Sequence, residues 1–179
     1  MKLRIILDLP PKVKKALWRH LIPRGAHPCE EVAFLFAYTE RTGEAIVFKL
    51  AEWFPVGADG FLLQSGYHLE LTDEVRARAI KRAHDLGASL IEAHSHIFHG
   101  VTRFSSSDRS GFEEFVPHVW WRLRGRPYMA LVVSPSGFDA LAWIEDPKKP
   151  EYVDGIVVDG AFFKASQTSL EESIYGGSL

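Results

Sequence analysis

His94 and His96 stand one residue apart in the stretch EAHSHI, and Ser105 stands three residues before Asp108 in FSSSDR. If the first stretch is a strand, residues i and i+2 project from one face, so the two imidazoles converge while Ser95 turns away. Two histidines held this way are half of a zinc site. A catalytic zinc takes three protein ligands at about 2.0–2.1 Å in a tetrahedron and leaves the fourth position to water, as hydrolysis requires. Asp108, at the start of a following helix, is the expected third ligand once the chain IFHGVTRF reverses direction. His99 is the rival, placed second because a carboxylate on a helix's first turn is held more firmly than a loop histidine. With Cys29 the only cysteine, such a metal has His, Asp, Glu and water to draw on.

Each half has a plainer reading. Ser105 followed by Asp108 is also a capping box that opens a helix and needs no catalysis. A lone His-x-His also serves packing at strand ends. Their combination, with a chain reversal between them, favours the metal. Hydrolysis further needs a group that takes a proton from water and gives one to the leaving amine, for which a nearby carboxylate is suited. HPCEEVAFLFA offers two, Glu30 and Glu31, at the start of an apolar strand. The plain alternative is that they mark a solvent-exposed strand end.

The elements that must position these residues are legible in outline. LRIILDL (3–9) reads as a strand, and PPKVKKALWRHL (10–21) as a helix with proline in its first turn. EEVAFLFAYTERTGEAIVFKLAEW reads as two strands around RTGE, with Gly43 free to take positive φ. A Gly/Pro-rich loop leads to YHLEL, a short strand. TDEVRARAIKRAHDLG is the clearest helix, with Thr72 as N-cap and Gly87 as its stop. ASLIEAHSH follows as a central strand. A helix from about Ser106 to Arg124 carries Phe112, Phe115, Val116, Val119, Trp120 and Leu123 as a core stripe, with Pro117 expected to bend or divide it. YMALVVSPSGFDALAWIE is a hairpin, YVDGIVVDGAFFKA one further strand, and SQTSLEESIYGGSL (166–179) a flexible tail. The Gly176-Gly177 pair in that tail reads as a frayed end in preference to a mimic of substrate.

The 179 residues suit one domain, taken as 1–165, of mixed α/β class. An apolar fraction of 46% with 25% charged residues describes a globular chain, not a disordered one. The net charge of −2 gives no electrostatic case for nucleic acid or an anionic membrane. No apolar run approaches the ~20 residues of a membrane span, and the first residues lack the apolar core of a signal peptide. A single cysteine fits a reducing cytoplasm, the expected compartment.

Taken together, Glu30, His94-Ser95-His96 and Ser105-Ser106-Ser107-Asp108 resemble the signature of the JAMM (JAB/MPN) zinc metalloproteases in its compact prokaryotic form. That signature is an upstream glutamate, then His-x-His, then Ser-x-x-Asp. The likeness covers residues 25–145, and Ala33, Leu35 and Ala37 occupy the family's E-x-x-G-x-L-x-G register, which selects Glu30 over Glu31. Departures are Ile97 where proline is usual, a His96-to-Ser105 stretch one residue longer than the commonest spacing, and alanines for glycines at 33 and 37.

The resemblance implies a cytidine-deaminase-like α/β fold, a mixed sheet flanked by helices. It implies one Zn2+ per chain on His94, His96 and Asp108, with Glu30 as acid/base and Ser105 stabilising the oxyanion. It also implies hydrolysis of the peptide or isopeptide bond after the C-terminal Gly-Gly of a ubiquitin-like protein, either as deconjugation or as precursor processing. The substrate's tail would add as a strand beside GFLLQSGYHLEL. Activating and conjugating enzymes of the same operon are the implied companions, some of them in antiviral systems. Two alternatives stand beside this reading: a sulfur-carrier-protein hydrolase releasing a small molecule, and a non-catalytic MPN-type scaffold. A cytidine-deaminase-type zinc enzyme is set aside, because HPCEE supplies no second cysteine.

Overall fold

In a computed structural model, residues 2–171 are described. The chain runs β1 (Arg4–Asp8), α1 (Pro11–Leu21), β2 (Val32–Arg41), β3 (Ala45–Pro55), β4 (Phe61–Gln64) and β5 (Leu69–Leu71). It continues through α2 (Asp73–Leu86), β6 (Ser89–Ser95), α3 (Ser106–Arg122), β7 (Tyr128–Ser134) and β8 (Gly137–Trp143), closing with β9 (Glu151–Tyr152), β10 (Gly155–Val158) and β11 (Ala161–Lys164). Nine strands form one mixed sheet in the order β11-β10-β1-β3-β2-β6-β7-β8-β9, and β4 and β5 form a separate hairpin. The expected mixed α/β class is what the chain adopts. No helix among the described residues is long and apolar enough to cross a membrane.

Period-two alternation divides the sheet into two faces. Odd-numbered Ala33, Leu35, Ile91 and Ala93 turn toward α1, where they meet Leu17 and Leu21. Even-numbered Val32, Phe34, Phe36 and Leu90 turn toward α2 and α3, against Val75, Ala79, Val116 and Val119. β6 is paired with antiparallel β2 on one side and parallel β7 on the other, and every residue of it is buried. A strand covered on both faces reads as a continuous apolar run, so polar side chains within it stand out. In β6 these are Ser89, Glu92, His94 and Ser95, all buried.

The helix boundaries follow their capping chemistry. Thr72 accepts a hydrogen bond from the Val75 backbone N–H, and Gly87 ends α2 at φ 68°. At that dihedral a side chain would clash with its own backbone, which is why glycine serves there. Ser105 caps α3 through a reciprocal box with Asp108. The helix runs through Pro117 without ending, so the expected division does not occur.

Three local expectations are corrected. Gly43 does not take positive φ; instead the Thr42 hydroxyl accepts hydrogen bonds from Glu44 and Ala45 to close the β2–β3 turn. The segment read as one strand from Tyr152 holds the end of β9 and all of β10 and β11, and Asp159 (φ 48°) and Gly160 (φ 78°) fold the last two into a tight hairpin. Of the expected tail, residues 166–171 are described, and Ser166 to Leu170 are tied to the fold by hydrogen bonds to Thr102, Asp139 and Tyr152. The Gly176-Gly177 pair lies outside the described residues.

Candidate metal centre

His94 is the last residue but one of β6, and His96 lies just past the strand's end. Their Nε2 atoms are 3.3 Å apart. The Asp108 Oδ2 lies 3.4 Å from the first and 3.2 Å from the second. These three atoms form a nearly equilateral triangle. For a tetrahedral ion with bonds of 2.0–2.1 Å, the distance between two ligand atoms is about 3.3 Å. A direct N–H···O bond to a carboxylate would sit nearer 2.7–2.9 Å, so the spacing suits a shared ion better than mutual hydrogen bonding. Among the described residues this is the one cluster of three His, Cys, Asp or Glu side chains with ligand atoms close enough to share a metal. The geometry is compatible with a metal site. His99 is exposed and outside the triangle, so Asp108 takes the third place.

Each ligand is fixed by a different device. The His94 ring, 4% exposed, is set by the pairing of His94 with Val32 and packs 5.6 Å from the Phe104 ring. The backbone N–H of His96 bonds to the Val133 carbonyl, extending the β6–β7 ladder by one step. The same Asp108 Oδ2 that completes the triangle accepts the Ser105 N–H at 2.8 Å, while the Ser105 hydroxyl accepts the Asp108 N–H at 3.1 Å. The capping box and the ligand reading are therefore not rivals. The cap aims the carboxylate. Ser105 itself is exposed, its hydroxyl hydrogen free to donate elsewhere.

The charges in this cluster depend on one another. Burial pushes the Asp108 carboxyl up, but the His94 charge, the two imidazoles beside it and the Ser105 N–H hold it well below the usual carboxylate range. Burial also disfavours an imidazolium at His94, yet the Asp108 carboxylate, with Glu92 and Glu30 beyond it, raises the ring's pKa above its ordinary value.

The two adjacent glutamates separate by face. The backbone of Glu31 continues the β2–β6 pairing: its carbonyl accepts the Ser95 N–H and its N–H donates to the Ser95 hydroxyl. Glu31 therefore shares the α1 face, where its carboxylate lies 4.0 Å from His20. Glu30 shares the face of Val32 and His94. It is 4% exposed. Burial raises its pKa, against the opposing pull of His96 and His94 and with a push from Asp108. Its backbone is clamped by the β4–β5 hairpin, since Glu30 N–H donates to Ser65 and the Gln64 side chain donates to the Glu30 carbonyl.

Two contributors escaped the sequence reading. Glu92, two residues before His94 on the same face, is buried with its Oε2 3.4 Å from both the Arg76 guanidinium and the Tyr128 hydroxyl. Burial and the neighbouring Glu92 raise the pKa of that phenol, keeping it a neutral donor. The signal was present, since a carboxylate amid LIEAH in a buried strand demands partners. Gln64 had no local signal, because its role depends on the hairpin folding back over Glu30. A groove of about 660 Å³ leads from His94 and Asp108 between β5, α2 and α3, walled by Leu69, Leu71, Arg76, Phe112, Phe115 and His118.

No protein-family model matches the chain, and no curated protein matches it either.

Proposed function

We propose that this protein is a zinc-dependent peptidase or isopeptidase, hydrolysing the bond after the C-terminal Gly-Gly of a ubiquitin-like protein. One observation carries the reading. Three ligand atoms from two elements stand at tetrahedral spacing, with a buried carboxylate, Glu30, on the same face of the sheet. The nitrogen, nitrogen and oxygen donor set with a fourth position left over is that of hydrolytic zinc. The resemblance to JAMM proteases in residue order supplies the substrate class, and the rims of the site favour a protein over a small molecule. Leu62, Leu63 and Tyr67 on the β4–β5 hairpin and Phe98 and Val101 after His96 are large apolar side chains left exposed. Ile97 lies against the hairpin's turn at Gly66, so the two rims adjoin. Exposed apolar groups gathered beside a polar cleft are the mark of a docking surface.

When bound, zinc supplies a Lewis acid that polarises the scissile carbonyl and makes water acidic enough to attack at neutral pH. His94, His96 and Asp108 would hold it there. Glu30 accepts the proton that water gives up and returns it to the departing amine. A carboxyl whose pKa burial has raised is better matched to both steps than one near 4. The Ser105 hydroxyl donates to the developing oxyanion while its oxygen keeps the Asp108 N–H. Glu92, Arg76 and Tyr128 lock the strand behind His94.

The test is cleavage of a ubiquitin-like protein bearing a fluorogenic amide after Gly-Gly. Activity that disappears with chelator, returns with zinc and is missing from Glu30→Gln is the expected result. A zinc-loaded protein that leaves both this reporter and a Gly-Gly isopeptide intact would overturn the reading.

A further inference from the structure

The eight residues from Ile97 to Phe104 join the two histidines to the capped aspartate, and they make no backbone-to-backbone hydrogen bond among the described residues. What holds them comes from elsewhere in the chain. The Thr102 hydroxyl bonds to that of Ser134, and the Gly100 N–H reaches Ser136. The Thr102 carbonyl accepts from the hydroxyls of Ser166 and Thr168, both at 2.8 Å. The Phe104 N–H donates to the Ser169 hydroxyl at 3.0 Å. Phe104 then packs edge-on against Phe112 and beside the His94 ring, and the next residue is the cap of α3.

The segment that supplies these groups is itself built around one buried charge. Asp139, in the middle of β8, has no exposed surface. Its carboxylate accepts the backbone N–H groups of Gln167, Thr168 and Ser169 and the Ser169 hydroxyl. Gln167 holds φ 55°, a left-handed conformation that turns these successive N–H groups toward one anion. A non-glycine residue persists there only when its surroundings over-determine it. A buried carboxylate is costly unless fully hydrogen-bonded, and this one is satisfied by one short stretch of chain plus its neighbour Ala140.

We propose that Asp139 and the strap Ser166–Leu170 are a positioning device for the metal centre, fixing the loop that delivers Asp108 to the two histidines. The inference rests on the triad being a metal site. Ser169 is the link, since its hydroxyl faces Asp139 on one side and the Phe104 N–H on the other. Asp139, Thr168 and Ser169 are positioning residues and do not touch the ion.

Zinc affinity of the full chain, measured by competition with a chromophoric chelator, tests this beside the melting temperature of the metal-free protein. Ser169→Ala is expected to weaken zinc 10–100-fold, the range for partners that orient a ligand, and Thr168→Val by less. Both should remain folded at the assay temperature. Ile156→Val, in the core near the far edge of the sheet, should lower melting temperature without changing zinc affinity. Strap variants that bind zinc within twofold of the parent would overturn the proposal. If the parent takes no zinc, the metal reading fails by itself, and hydrogen exchange over residues 97–108 of the metal-free protein judges the strap. At least tenfold faster exchange there in Ser169→Ala supports it, and unchanged exchange overturns it.

Discussion

Replacing Glu30 by glutamine keeps the side chain's shape and removes its ability to take a proton. The backbone contacts that seat it, from Gln64 and to Ser65, do not involve the carboxylate. A general base contributes typically 10²–10⁴-fold, which at 1.36 kcal/mol per decade is about 3–5 kcal/mol of transition-state stabilisation. Stability should move the other way. Burial raises the Glu30 pKa, so the folded protein binds this proton more tightly than the unfolded chain does. Ionisation at neutral pH then costs folding free energy, and the neutral amide removes that cost. Glu30→Gln is thus expected to bind zinc, to melt at or above the parent's temperature and to turn over at 10⁻²–10⁻⁴ of its rate. Glu31→Gln serves as the comparison, because Glu31 faces His20 across the sheet from the triad. It should stay within about threefold of the parent, as expected for a side chain that makes no transition-state contact. Initial rates with the Gly-Gly amide reporter, taken beside melting curves on the same preparations, decide the matter. A dead Glu31→Gln with an active Glu30→Gln would refute the face assignment, and an active pair would refute general-base catalysis by either residue.

Three further outcomes are expected. Elemental analysis should find one zinc per chain in the parent and none in His94→Ala or Asp108→Ala; stoichiometric zinc in both variants would remove the ligand assignment. Because zinc needs a neutral imidazole and the His94 pKa is raised, affinity should be flat at alkaline pH and fall on acidification, starting above an ordinary histidine's value of about 6.5. Chelator competition between about pH 8 and 5.5 checks this, and constant affinity would contradict it. Ser105→Ala should lose about 1 kcal/mol with the cap, a shift of about 2–4 °C, and also about 10²–10³ in turnover with the oxyanion donor. Near-normal turnover with the same loss of stability would leave Ser105 a cap alone.

Local chemistry made some of this structure legible in advance. Thr72 and Gly87 bound α2 where capping preferences put them, and the spacing of His94 and His96 on a strand foretold a shared face. The position of Asp108 near the histidines was readable because a capping box holds a carboxylate at the first turn of a helix. The break between β10 and β11 was readable and missed: Asp159-Gly160 is a two-residue hairpin signal between β-branched and aromatic residues. Asp139 gave half a signal. A charge in the apolar strand GFDALAW requires partners, but they come from 28 to 30 residues downstream, and nothing in SQTS announces an anion cradle. The hairpin over Glu30 was hidden for the same reason, since pairing at a distance is decided by packing and not by local preference.

The placement of Glu30, His94 and His96 on one face reduces to a single backbone pairing. Val32 opposes His94 on neighbouring strands, and the Ser95 backbone N–H donates to the Glu31 carbonyl. Ser95, fully buried, adds its hydroxyl as acceptor for the Glu31 N–H in place of a core contact. Directly opposed residues of an antiparallel pair point the same way, so His94 shares its face with Val32, and one step of two along each strand brings Glu30 and His96 to it as well. A slip of one residue would turn Glu31 toward the triad and Glu30 toward α1, and it would reverse every apolar contact of β2 between the two halves of the core. The burial of Val32, Phe34 and Phe36 against α2 and α3, and of Ala33 and Leu35 against α1, opposes that slip. The register that seats Glu30 beside the two histidines is therefore enforced along the whole strand by its core and not by the site itself, which leaves the site free to carry buried polar groups.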